Sequence, residues 1–292
     1  MTQKTIAVLG QGPMGAAVAQ ALLRHDTRVV VWNRTRERCT PQVGRGAAMA
    51  DTPAAAVEAA DLTIAVLRDP TATRSVLASV PRPVASGRAV LNFASSTPRE
   101  ARTLAAWATD AGIDWLSGAI MVPTPLIGEE EALFLYSGNR AAMDAHLDVL
   151  QLLGGDNRHL GDDHGLASLL DTAMLEIFFA GMTSFLHASA MVTAQGFSAT
   201  DFAPLAKVMV EILPATLDGL ARDVDNGEYP GEEDNLAMEL SAITHIADTS
   251  DELGLDSRLP RLMEGLAAAA VADGHGGNGW SRVVEGLRKS TA

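Results

Sequence analysis

The sequence predicts an α/β chain: a doubly wound parallel sheet over roughly its first 160 residues, then a long apolar helix leading into an all-α region. Three observations predict it. Short β-branched runs alternate with helical patterns up to about residue 160, and strands alternating with helices build a parallel sheet covered on both faces. From about residue 164 the strand signals stop. Between the two parts lies HGLASLLDTAMLEIFFAGMTSFLHASAMVTAQGF, residues 164–197, which is apolar almost all round. The expected division is a sheet domain at 1–163, a linking helix at 164–193 and a helical region at 194–292.

Composition narrows the function. A length of 292 residues suits two domains, and 47% apolar with 20% charged residues supplies an ordinary globular core. The net charge of −14 argues against a nucleic-acid backbone as partner and disfavours an anionic membrane surface. The single cysteine, Cys39, permits no internal disulfide, so a cytoplasmic, reducing setting fits. It reads as an inert, partly buried thiol. No metal site is expected. The start, MTQKTIAVLGQG, has no basic segment before a long apolar run and does not read as a signal peptide. The run at 172–193 is long enough to span a bilayer. It holds Glu176 and His187, however, and its flanks carry Asp162, Asp163 and Asp201 instead of basic residues. A buried helix of a soluble protein is the expectation, which leaves Asp171 to be explained, since an isolated carboxylate is costly to bury.

In chain order, TIAVLG is followed by MGAAVAQALLRH, and RVVVWN by a short helical stretch; DLTIAVL, RAVLNFA, IDWLSGAI and ALFLYSG continue the strands. The later helices are broken by the loops DNGEYPGEED and DGHGGNG. The first strand ends in Gly10-Gln11-Gly12-Pro13-Met14-Gly15, a G-x-G-x-x-G with a strand before it and a helix opening at its third glycine. The first glycine makes the turn, the second admits a pyrophosphate, and the third lets helix and strand pack closely. The helix N-terminus offers free N–H groups to the phosphates. The alternative is a purely structural glycine turn.

The second strand ends in Asn33-Arg34-Thr35. An NAD site places an acid here on the ribose 2′-hydroxyl. Neutral Asn33 would not repel a 2′-phosphate, and the Arg34 guanidinium suits one. The reading is NADPH over NADH; the alternative is a solvated basic stretch that continues through Arg36 and Arg38. Leu67 and Arg68 follow a third strand and are expected to line the cofactor. Asn92, Ser95 and Thr97 follow a fourth and are expected near the nicotinamide ribose or the substrate, since carboxyl ends of strands face the ligand crevice.

This layout resembles the β-hydroxyacid dehydrogenase superfamily, whose inter-domain helix carries a catalytic lysine six residues after a glycine. Here Gly165 is followed six residues later by Asp171, and Met174 and Leu175 stand where an asparagine is usual. Gly118-Ala119-Ile120-Met121-Val122-Pro123 replaces the usual substrate-carboxylate loop. Those departures resemble the imine reductases and reductive aminases. VWNRT at 31–35, STP at 96–98, GAIMVP at 118–123, LYSG at 135–138, ASLLD at 167–171, FLHA at 185–188, YPG at 229–231 and GHG at 274–276 carry the likeness by their order and spacing.

The resemblance implies an N-terminal Rossmann domain that binds NADPH, reduction of imines or of a ketone plus an amine, and a homodimer whose cleft combines two chains. It places Asp171 in the active site. Phe179 stands where a tyrosine or aspartate is usually proposed as proton donor. Leu175, Phe178 and Phe179, with Met182, share the helical face of Asp171 and form an apolar wall; Met121 and Ser95 complete the expected pocket. By helical packing alone, Phe178 and Met182 read as core. Glu239 and His245 would come from the partner subunit, and His187 reads as a structural histidine. An iminium is cationic, so a lysine would repel it and a carboxylate would stabilise it. The local alternative is an Asp171 that ties two helices together through hydrogen bonds. Two rival functions remain at this point: a β-hydroxyacid dehydrogenase-like oxidoreductase and a non-catalytic NADPH-binding protein.

Overall fold

The structure, a computed structural model, describes residues 4–25, 27–80 and 88–288, so the first residues of MTQKTIAVLGQG lie outside it. The chain forms two compact units, Met1–Glu176 and Ile177–Ala292.

The strands of the first unit are β1 (Thr5–Leu9), β2 (Arg28–Trp32), β3 (Ala48–Met49), β4 (Leu62–Ala65), β5 (Ala89–Asn92), β6 (Asp114–Ile120), β7 (Leu133–Gly138) and β8 (Asp156–His159). They lie in one sheet in the order β3-β2-β1-β4-β5-β6-β7-β8. The helices between them are α1 (Pro13–Leu23), α2 (Thr40–Val43), α3 (Pro53–Ala59), α4 (Pro70–Leu77), α5 (Pro98–Asp110), α6 (Arg140–Ala145) and α7 (Leu147–Leu150). Successive side chains of β1 go to opposite faces, and both faces are covered. Ile6 and Val8 join a core with Val18 and Leu22 of α1, while Ala7 and Leu9 join one with Val57, Leu77 and Leu104. That is why TIAVL is apolar at nearly every position. The chain builds outward from β1 to β3 and then returns to β4 on the other side of β1. This reversal opens a crevice at the carboxyl ends of the strands.

Three features differ from the expected sheet. β7 runs antiparallel to β6, with Gly118 opposite Tyr136. The connection between them carries only a short 3₁₀ turn, Thr124–Leu126, and a parallel crossover needs a longer return, usually a helix. β3 is two residues long and shows no periodicity. β8 reads DNRH, a polar strand at the edge of the sheet with no apolar alternation.

Helix α8, Leu166–Ala194, runs from the first unit into the second. There it is followed by α9 (Ala199–Asn226), α10 (Leu236–Glu252), α11 (Arg258–Ala270) and α12 (Val283–Leu287). Arg261 ties α11 to α10, reaching Asp248 at 2.7 Å and Asp251 at 2.5 Å. The two expected loops are fastened to each other. Asn278 Nδ2 donates to the Tyr229 carbonyl at 2.9 Å, and the Leu236 N–H to the Asn278 carbonyl at 2.8 Å. The second loop is also less open than its glycines suggest, since its first residues close a π turn at Val271–His275.

The expectation of a buried helix is not met within the chain. Along α8, Ile177 is 69% exposed, Phe178 60% and Leu186 65%. Phe178 and Met182 are therefore not core residues of this chain; apolar character alone does not say which surface covers it. Among the described residues α8 is the helix that is long and apolar enough to cross a membrane by length and composition. His187 keeps its structural reading, with Nε2 3.4 Å from the Ser250 hydroxyl.

Candidate active site

The glycine loop sits where β1 meets α1. Gly10 has φ +97°, and a Cβ there would run into the Val66 carbonyl oxygen; a Cβ on Gly15 would run into that of Gly10. The fold itself requires these two glycines. Gly12 is different, because its φ is −73° and an added Cβ would meet nothing within 4 Å. The space above it is open. Pro13 opens α1, whose first turn has neither a side-chain cap nor an acidic residue, so its free N–H groups and positive dipole end face outward.

Asn33 braces this loop. Its Oδ1 accepts the Gln11 N–H at 2.9 Å, and its Nδ2 donates to the Thr35 carbonyl at 2.8 Å. Gln11 itself is 4% exposed and turned inward, its Nε2 on the Val8 carbonyl. Of the neighbouring arginines, Arg36 is occupied by Asp51 at 2.6 Å. Arg34 and Arg38 are exposed, and their guanidinium groups have no hydrogen-bond or ion-pair partner among the described residues.

A cavity of about 430 Å³ runs over this loop, within the size range of cofactor and ligand sites. Its wall includes Gly10, Gly12, Pro13, Met14, Gly15 and Asn33, then Leu67 and Arg68, and then Ser95 and Asp171. Those expected residues are brought together. Others are not part of the wall. Asn92 is 5% exposed, its Oδ1 accepting from the Thr73 hydroxyl at 3.2 Å, so it braces α4 from below. Thr97 caps α5 reciprocally with Glu100. Arg34 and Thr35 stand exposed at the end of β2, Met121 packs against the Ala119–Leu135–Ala167 cluster, and Leu175 is 38% exposed on α8.

Asp171 is half-buried in the cavity wall, and burial pushes its carboxyl above the usual range. Among the described residues its carboxyl has no hydrogen-bond or ion-pair partner, so no tie to another helix of this chain is seen there. The helix that carries Asp171 is fastened at its start. Asp163 accepts the Gly165 N–H at 2.9 Å and is gripped by Arg102 through two bonds of 2.7 Å, which hold its pKa to about 2. Ser137 accepts the Ala167 N–H at 3.2 Å.

Sequence reasoning did not name Arg38, Phe93 or Ser168 as site residues, and named Gly118 only within the stretch that replaces the substrate-carboxylate loop; all four are in the wall. Phe93 lies on Gly118, where a Cβ would come 2.6 Å from its ring; no local signal announces that contact. Arg38 belongs to a basic stretch noted only as a continuation. Ser168 lies one turn before Asp171 and was visible by spacing alone.

The second unit holds the remaining candidates. The Phe178 and Phe179 rings pack edge to face with centroids 5.8 Å apart, and both are more than half exposed. Glu239 lies in the first turn of α10, and its Oε2 is buried without a partner; burial, and then Asp234 beside it, push its carboxyl upward. His245 is exposed on the same helix. Cys39 is buried, and that burial pushes its thiol up, away from nucleophilic use.

A family profile described as the NADPH-dependent reductive aminase-like C-terminal domain matches residues 163–289, and one described as the NAD binding domain of 6-phosphogluconate dehydrogenase matches residues 5–161. The chain is 32% identical over 289 residues to an NADPH-dependent reductive aminase of Aspergillus oryzae, covering 97% of this chain and 96% of that protein. A reductive aminase from Aspergillus terreus, solved with NADPH4, cyclohexanone and allyl amine, is similar with a TM-score of 0.92 at 36% identity, over 98% of this chain and all of that one. A Streptomyces aurantiacus imine reductase is similar with a TM-score of 0.92 at 33% identity, again over 98% and 100% of the two chains.

Proposed function

The chain belongs to the NADPH-dependent reductive aminase and imine reductase family, and from that premise we propose that it reduces imines and iminium ions to amines, including those formed from a ketone and an amine. The observation that carries this reading is Asp171, an unpartnered carboxylate in the wall of the cofactor cavity. A hydroxyacid dehydrogenase would need a cation-bearing base at that point; an anion there suits a cationic substrate.

The residues present fit NADPH. The open space over Gly12 and the uncapped start of α1 suit the pyrophosphate. Arg34 and Arg38, both without partners, suit the 2′-phosphate. When bound, NADPH supplies the hydride. Asp171, half-buried in the cavity wall, stabilises the positive C=N carbon that accepts it. Phe179 has no proton to give, which supports the iminium as the form that is bound. Titrating NADPH fluorescence, then offering a cyclic imine or a ketone plus amine with NADPH, and a 3-hydroxy acid with NADP+, tests the proposal. Turnover of the hydroxy acid alone, or of none of the three, would overturn it.

Arg34→Ala is expected to weaken NADPH by roughly ten- to hundredfold while leaving NADH nearly unchanged, the effect of one charge-assisted contact of ~1.5–3 kcal/mol. Dissociation constants for both cofactors check this; equal losses would count against a 2′-phosphate role.

The working assembly is a homodimer with a shared cleft, to which Glu239 and His245 contribute. Its support is the bare apolar side chains of the second unit: on α9, Val208 is 57% exposed, Met209 66% and Leu213 56%, and on α8 Leu186 is 65% exposed. So many exposed large apolar side chains mark a protein interface, and a second copy of the chain offers the same side chains in return. Leu186→Glu with Met209→Glu is expected to give a monomer with little activity by sedimentation and assay. A wild-type chain that stays monomeric and active at nanomolar concentration would refute the dimer. A free Cys39 suits a reducing, cytoplasmic setting.

A further inference from the structure

Ser168 is in the cavity wall and takes no part in the chemistry above. It is 7% exposed and lies in the first turn of α8, three residues before Asp171, so the two share a face of the helix. Its hydroxyl oxygen is 3.1 Å from that of Ser96, in the turn between β5 and α5. Other side-chain bonds at the start of α8 reach the backbone N–H groups of Gly165 and Ala167, and two more, Arg102 with Asp163 and Ser117 with His164, lie on the segment just before the helix. They fix where the helix begins and how far it advances. They restrain its rotation about its own axis less, because the first two act on backbone close to that axis and the others precede the first turn.

Asp171 has no partner to aim it. Its direction therefore depends on the rotation of the helix that carries it. Side-chain tips stand ~5–6 Å from a helix axis, so turning the helix by about 10° moves a carboxylate by about 1 Å. A misplacement of about 1 Å costs up to roughly a hundredfold in rate when a reaction needs a near-attack geometry. We propose that Ser168, held by Ser96, is a positioning residue that sets the rotation of α8 and so aims the Asp171 carboxylate at the reacting C=N group. This rests on the reading of Asp171 as the partner of the iminium.

The test measures kcat for a cyclic iminium at saturating NADPH in wild type, Ser96→Ala, Ser168→Ala, the double variant, Ser96→Thr and Asp171→Asn. NADPH dissociation constants and melting temperatures are taken for each. The expected result is a loss of about tenfold in kcat for either single alanine variant, with NADPH binding within about twofold. The double variant falls no further than the singles, because one bond is lost in all three. Ser96→Thr, which keeps a hydroxyl, retains most activity. Losses that multiply in the double variant would overturn the proposal, as would singles with lowered melting temperature but wild-type kcat. The underlying reading fails separately: wild-type turnover in Asp171→Asn overturns that reading, whereas an inactive Asp171→Asn beside fully active serine variants overturns the positioning role alone.

Discussion

Asp171→Asn is expected to lower kcat/KM for an iminium by roughly a hundredfold or more, with NADPH binding unchanged and the fold no less stable. The substitution keeps shape and removes charge. Two unit charges about 4 Å apart interact by at most about 4 kcal/mol at an effective dielectric of ~20, and each 1.36 kcal/mol is about tenfold in rate. Stability should move the other way. Burial raises the pKa of Asp171 above its ordinary 3.8, so what is disfavoured in the folded chain is the ionised form. The protonated form's advantage is full below that ordinary value and is lost as pH rises through the raised one. An asparagine is neutral throughout. The variant should therefore melt above wild type at pH 8, and the difference should vanish near pH 4. Steady-state kinetics and melts at the two pH values check both parts. A variant that is both inactive and less stable at pH 8 would mean that Asp171 holds the fold together.

Gly12→Val and Gly15→Ala should fail in different ways. The first adds a side chain where the chain offers no obstacle within 4 Å, so the melting temperature should stay within about 2 °C. That side chain fills the approach to the free N–H groups of α1. Losing two charge-assisted contacts of ~1.5–3 kcal/mol each should weaken NADPH by at least about a hundredfold. Gly15→Ala meets the Gly10 carbonyl oxygen and must displace α1 from β1. Overpacking of this kind costs ~1–3 kcal/mol, a drop of roughly 2–12 °C. Fluorescence titration and melts separate the two. Normal NADPH binding by Gly12→Val would remove the glycine loop from the cofactor site.

How much of this was legible before the structure depended on how local each signal was. The glycine loop is a contiguous strand, turn and helix start, and its motif carries its own context. Six strands showed as β-branched runs. β3 and β8 did not, because two residues have no period and DNRH has no apolar face. The antiparallel course of β7 had one faint sign, the short connection from 121 to 132. Asp171 was conspicuous as a charge in an apolar run, yet its lack of a partner is a three-dimensional fact. Phe93 reached the cavity through Gly118 across two strands, which no spacing encodes. Phe178 was read as core because the helix is apolar; apolar residues seek cover, and the pattern does not name the chain that provides it.

The most direct measurement is the pH dependence of kcat/KM for a permanently charged N-methyl iminium in wild type and Asp171→Asn. This substrate needs no proton, so what Asp171→Asn removes from its profile is the titration of the charge at position 171. The account predicts that wild-type kcat/KM rises with pH through the raised pKa of Asp171 and then levels off, while Asp171→Asn stays low and flat over the same range. Coincident profiles of equal height would contradict it.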